Sequence, residues 1–279
     1  MLISLATMDF RLCHLLRERL KKGGFSVEHI SPGDLPSKGS IVVVTTEKEE
    51  KISPTTYPKK IVLSKAESQN IKLAVSKITL GLEGKRIWES LIIGVDTGLT
   101  IGVAIITDGC LRATLETRVI TEAINYIIDS IKNTPAKMTI IRLGSTGGYR
   151  RILLMNELLN TKPKGVALEI VNELATTPVN TQEAKATIKN SARKGSNLKG
   201  GKNASAAMEI AFRLGESVAC AEEWHLSEGE IKEIQTLSRQ LSKGVVTISK
   251  DLARKVACGV IGIDEAIHLQ KKEKKKLAD

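Results

Sequence analysis

A chain of 279 residues has room for two domains or one domain with large appendages, and 42% hydrophobic against 26% charged residues exclude general disorder. The net charge of +11 favours polyanionic partners, and the excess is not confined to the lysine-rich end: without residues 271–279 the chain keeps 37 basic against 29 acidic side chains. No apolar run approaches the roughly 18 residues of a membrane span, and Asp9 and Arg11 interrupt the apolar start before any cleavage pattern. The expectation is a soluble, cytoplasmic protein with no membrane partner. Cys13, Cys110, Cys220 and Cys258 form no CxxC, and His14, His29, His225 and His268 form no HxxxH or HExxH, so they read as reduced thiols and isolated imidazoles and not as a zinc site.

In chain order, residues 2–6 read as a strand and 9–22 as a helix, with Leu12, Leu15, Leu16 and Leu20 at helical spacing and Gly23-Gly24 as its stop. Short β-branched runs at 25–30, 41–45 and 60–63, followed by a helix over 66–80, complete a small parallel-sheet α/β domain over residues 1–85. It carries neither GxGxxG nor GxxxxGK[ST], so its role is not legible.

From residue 90 the pattern becomes a meander. Runs at 91–95, 101–106 and 111–120 read as strands, the last two joined by Thr107-Asp108-Gly109, a strong hairpin signal. Thr121 is placed as the cap of a helix with Ala123, Ile124, Ile127, Ile128 and Ile131 on one face. A strand at 138–143, a helix at 150–159, a strand at 166–171 and a helix at 204–214, with Ala207, Ile210, Ala211 and Leu214 inward, close a central domain over residues 86–224. Residues 225–279 read as a helical appendage with a basic tail, with helices at 228–241, 249–258 behind a Ser cap and 264–275. The expected class is therefore α/β: a parallel-sheet domain, a central domain and C-terminal helices.

The sharpest local feature is Ile92-Ile93-Gly94-Val95-Asp96-Thr97-Gly98-Leu99-Thr100-Ile101-Gly102-Val103-Ala104, an apolar strand ending in a carboxylate, a Gly turn and a second apolar strand. A strand-end Asp facing a turn can hold a divalent metal, and it can equally start the turn as an Asx residue. Asp96, Gly98 and Ile101 to Ala104 together resemble the first-strand signature of the RNase H-like superfamily, and within it the YqgF family of RuvC-like nucleases. Leu168 to Thr177 resembles that family's "VEFVDERLTT" segment and puts Glu173 on its acidic residue, while Asn203-Ala204-Ser205-Ala206-Ala207 is similar to its "D-x-x-A-A" helix start. The resemblance covers residues 90–215. It implies a nuclease in which Asp96, Glu173 and the residue at 203 bind Mg²⁺ or Mn²⁺, ions that take carboxylate oxygens and can clamp both oxygens of an in-line phosphodiester displacement.

Three positions depart from the family pattern: Asn203 stands where it has Asp, Leu174 where it has Arg, and Arg142 precedes Gly144. An Asn oxygen can ligate a metal without bringing charge, and Asn203 can equally be the N-cap of its helix. Glu169 lies two pleats before Glu173 on the same strand face and is an alternative acidic partner, with Thr176-Thr177 favouring Glu173.

Lys185, Lys189, Arg193, Lys194, Lys199 and Lys202 form a purely basic segment among Gly and Ser residues, suited to a phosphate backbone. With 3% aromatics, backbone-shape recognition of RNA or branched DNA is favoured over base stacking. Gly144-Ser145-Thr146-Gly147-Gly148 enters a helix and offers backbone N–H groups to a phosphate. Asp96-Thr97-Gly98 also spells the aspartic-protease triplet, but the second carboxylate is missing and the later βαβ pattern is wrong for that fold. The serious rival to a metal-dependent endonuclease is a nucleic-acid-binding protein that kept the fold and lost catalysis. A homodimer stays open.

Overall fold

The computed structural model describes residues 1–52, 59–172, 201–218 and 226–276. The first unit comprises β1 (Leu2–Ala6), α1 (Phe10–Lys22), β2 (Ser26–Ile30), β3 (Ser40–Thr46), β4 (Lys60–Leu63), α2 (Lys65–Gln69) and α3 (Ile71–Leu82). Its strands form a parallel sheet in the order β2-β1-β3-β4. Alternation puts Ile3, Leu5, Val42, Val44, Ile61 and Leu63 on one face, where they pack against Leu12, Leu16 and Leu20 of α1 and Ala74 and Ile78 of α3. The side chain of Asp9 accepts from the Leu12 N–H, fixing where α1 starts.

The helix expected over 66–80 is two helices. Asn70 ends α2 and starts α3, its side chain accepting from the N–H groups of Lys72 and Leu73, and its amide donates to Asn133 at 2.7 Å. The break exists because Asn70 serves a neighbour outside its own unit. Lys72 pairs with Asp129 and Arg112 with Glu83 across the same seam. Polar contacts of this kind leave each hydrophobic core complete without the other. A fragment of residues 85–279 is therefore expected to keep its helical and strand signal and melt cooperatively; an unfolded fragment by circular dichroism, beside a folded full chain, would place the boundary elsewhere.

The second unit contains β5 (Trp88–Asp96), β6 (Ile101–Thr107), β7 (Cys110–Thr117), α4 (Ile120–Asn133), β8 (Ala136–Gly144), α5 (Gly148–Thr161), β9 (Ala167–Val171), α6 (Lys202–Phe212) and β10 (Glu216–Ser217). The sheet order is β10-β9-β8-β5-β6-β7, with β5, β8 and β9 parallel and β6, β7 and β10 antiparallel to their neighbours. The β6–β7 turn is the expected hairpin: Asp108 and Gly109 both have positive φ, 47° and 75°. Asp108 also accepts from the Ser90 N–H and from Lys85. Burial alone would raise its carboxyl, but those donors hold it below the usual aspartate range.

One sheet face carries Leu91, Ile93, Val95, Val103, Ile105, Ile141, Leu143, Leu168 and Ile170 and is covered by α4 and α5. The other face is covered by α6, whose Ala207, Met208 and Ala211 pack on Ala104 and Ile106. Two sequence expectations fail here. Thr121 is not the α4 cap: the cap position is Val119, and Thr117 accepts its N–H. Leu214 is 80% exposed, because α6 stops at Phe212 and Arg213 turns the chain into extended backbone.

The C-terminal helices α7 (Glu228–Leu241), α8 (Lys250–Ala257) and α9 (Ile263–Lys276) close on Ile231, Ile234, Leu252, Val256 and Ile267. Ser227 and Glu230 form a capping box at α7, and Ser249 caps α8 as expected. Among the described residues no helix is long and apolar enough to cross a membrane.

Candidate functional site

Asp96 is the last residue of β5, and its register partner in β6 is Gly102, which pairs in turn with Glu116 of β7. Cross-strand partners point to one face, so Asp96 and Glu116 flank Gly102 on the face that α6 covers. A Cβ at Gly102 would stand 2.1 Å from the Asn203 carbonyl oxygen, and one at Gly94 1.9 Å from that of Ala207. The two glycines let α6 lie directly on the strand backbones, and this close approach brings Asn203 to the strand end that carries Asp96.

Asn203 is not the N-cap. That position belongs to Gly201, with no side-chain cap of its own, and Lys202 and Asn203 are the first two helical residues. The anion at this helix start comes from β7: Glu116 accepts from the Ala204 N–H at 2.8 Å, and a Cβ at Gly201 would lie 2.5 Å from its carboxylate. Nothing in the sequence near residue 201 betrays this, because the capping residue arrives from a distant strand. Replacing Glu116 with Gln keeps the shape and removes the charge, so thermal unfolding should show a loss of about 1 kcal/mol, roughly 2–4 °C.

Arg142, 7% exposed, lies on the same face between β5 and β9, paired with Glu169 at 2.8 Å and donating to the Ala211 carbonyl at 2.7 Å. Glu169 thus already has a buried cation to neutralise, which argues for a structural role and against its use as the acidic partner of Asp96. The departure of Arg142 from the family pattern has a physical purpose: it satisfies the carbonyl at the end of α6.

The Gly-rich turn between β8 and α5 is pinned to both neighbouring strand ends. The Ser145 N–H donates to the Val171 carbonyl at 2.9 Å, and Thr97 Oγ1 donates to the Thr146 carbonyl. The turn lies between Asp96-Thr97 and the end of β9, where Asn172 leads to residue 173. It was expected to present N–H groups to a phosphate. Instead the Tyr149 N–H donates to the Glu233 carboxylate of α7 at 3.0 Å.

Of the residues singled out in the sequence, Asp96, Lys202 and Asn203 converge at this sheet edge, with Lys202 exposed. Glu173, Lys185, Lys189, Arg193, Lys194 and Lys199 lie outside the described residues. Asp96 and Asn203 offer the oxygen donors that Mg²⁺ or Mn²⁺ takes, and among the described residues no group of three His, Cys, Asp or Glu side chains could hold a metal. The donors present are of the right chemistry, and completing a site falls to Glu173.

Residues 227–273 match the model of a three helical bundle domain family, in agreement with α7 to α9. No curated protein matches the chain in sequence. Among solved structures the chain is similar to the Argonaute Aa-Ago with externally bound siRNA, at 9% identity and a TM-score of 0.21 over 61% of this chain, and it spans only 34% of that protein. It is also similar to the E. coli RcsC C-terminus containing a linker region and phosphoreceiver domain, at 17% identity and a TM-score of 0.22, covering 69% of this chain and 92% of that one. Likeness at these scores carries no argument about this chain.

Proposed function

We propose that the chain is a metal-dependent phosphodiesterase acting on structured nucleic acid, RNA or branched DNA, with an RNase H-like central domain. The observation that carries the reading is the convergence, at one sheet edge, of the strand-end Asp96 with the start of α6 at Asn203, through the contact of Gly102 with the Asn203 carbonyl. An antiparallel β5-β6-β7 meander continued by parallel β8 and β9 supports the fold part of the reading.

In this reading Asp96, Glu173 and Asn203 hold Mg²⁺ or Mn²⁺, which supplies Lewis-acid stabilisation of the departing oxygen. Asp96 contributes the negative charge from β5, and Arg142 keeps Glu169 out of the ligand set by pairing with it. Lys202 and the basic residues before it, Lys185, Lys189, Arg193, Lys194 and Lys199, face the phosphate backbone.

The second reading, a nucleic-acid-binding protein without catalysis, is favoured by one observation: the carboxylate nearest α6, Glu116, is already committed to a backbone N–H. A cleavage screen of duplex RNA and branched DNA with magnesium and with manganese separates the two. Binding is common to both. With about four of the six basic residues on phosphates, log affinity should fall with log salt at a slope of about −3 to −4, and replacing all six with Gln should flatten it. An unchanged slope would move the binding surface elsewhere.

A further inference from the structure

We infer that the C-terminal bundle is an autoinhibitory strap, whose Glu233 carboxylate occupies the Gly147–Tyr149 turn in place of a backbone phosphate of bound nucleic acid. The inference rests on the nucleic-acid reading above. The 14-residue α5 has no acidic residue in its first turn and no side-chain cap at Gly147, so its N-terminal charge is met from elsewhere. Glu233 of α7 meets it. Gly147 and Gly148 have φ of 111° and 54°, and a Cβ on Gly148 would stand 1.9 Å from the Glu233 carboxylate oxygen, so two glycines allow the anion to rest on the backbone. The turn is tied to Thr97 and Val171, the residues that follow Asp96 and end β9, which places the anion beside the proposed reaction centre.

A cavity of about 510 Å³ opens beside Glu233, lined by Tyr149, Lys232, Thr236 and Gln240 among others. It gives a phosphodiester room to enter with Lys232 as counter-charge once Glu233 withdraws. The bundle has further holds on α5. Arg151 pairs with Glu230, Ile152 is part of the bundle core, and Asn156 donates to the Ala257 carbonyl at 2.7 Å. Neutralising Glu233 therefore unloads the turn without undocking the bundle, and bound substrate competes with one carboxylate and not with the whole interface.

The test uses the full chain as wild type, Glu233→Gln and Glu228→Gln. Glu228 lies on the same helix and pairs with Lys250 away from the turn, so it controls for the change in net charge. Anisotropy of a labelled RNA duplex and a labelled four-way DNA junction at fixed salt should show about five- to tenfold tighter binding for Glu233→Gln and little change for Glu228→Gln. Amide exchange across Tyr149 and α7 should rise when the duplex binds wild type. Equal binding by all three proteins, or protection of α7 by the duplex, overturns the strap and leaves the nucleic-acid reading standing. Binding by none of them at low salt overturns both.

Discussion

Asp96→Asn is expected to remove metal-dependent cleavage, by at least about a hundredfold, and to leave nucleic-acid affinity unchanged or slightly raised. Even partners that only orient a metal ligand cost on the order of 10- to 100-fold when lost, and a ligand itself costs no less. Affinity behaves differently because the substitution deletes a negative charge that faces phosphates. The reciprocal change, Asn203→Asp, puts a third carboxylate near Gly102, where Asp96 and Glu116 already flank the strand. Without metal the added charge should lower thermal stability by self-repulsion, and with manganese the loss should reverse and affinity for the ion rise. Isothermal titration of manganese into wild type and Asn203→Asp, with and without an uncleavable duplex, reads the outcome. Equal affinity in all four mixtures would leave the nuclease reading without its metal.

The largest stability effect is expected from Gly94→Ala. Its new methyl would stand 1.9 Å from the Ala207 carbonyl and 2.7 Å from the Ala211 Cβ, and helix backbone cannot rotate aside as a flexible side chain can. Overpacking a close-packed contact costs 1–3 kcal/mol, and this one should reach the upper end, about 3 kcal/mol, lowering the melting temperature by roughly 6–12 °C. The displaced helix also carries Asn203, so any cleavage should fall with stability. A melt within about 1 °C of wild type would mean that α6 does not lie on β5 as described.

What could be read from the sequence followed from local chemistry. The Asp108-Gly109 turn, the Ser249 cap and the apolar β5 strand ending in Asp96 each depend on residues within a few positions. Glu116 was missed because alternate polar residues on an outer strand look like a solvent face, and only the tertiary arrival of α6 gives this one a partner. Glu233 was missed for the same reason: it appears as one more acid on a charged helix until α7 meets the Gly-rich turn. Asn70 broke a helix whose apolar period runs through it, since its amide is used by Asn133. Leu214 fitted the α6 stripe, but the helix ended before reaching it. In each miss, a contact between residues far apart in sequence overrode a sound local preference.

The dependence of the central sheet on α6 also orders events while the chain is being made. The first sheet and its helices are complete by Leu82, so that unit can close as soon as it leaves the ribosome. The central sheet cannot, because the helix that covers one of its faces is made only after every strand from β5 to β9. Until then Ala104 and Ile106 stand bare to solvent, a sticky surface that draws chaperones or neighbouring nascent chains and disappears when the last piece docks.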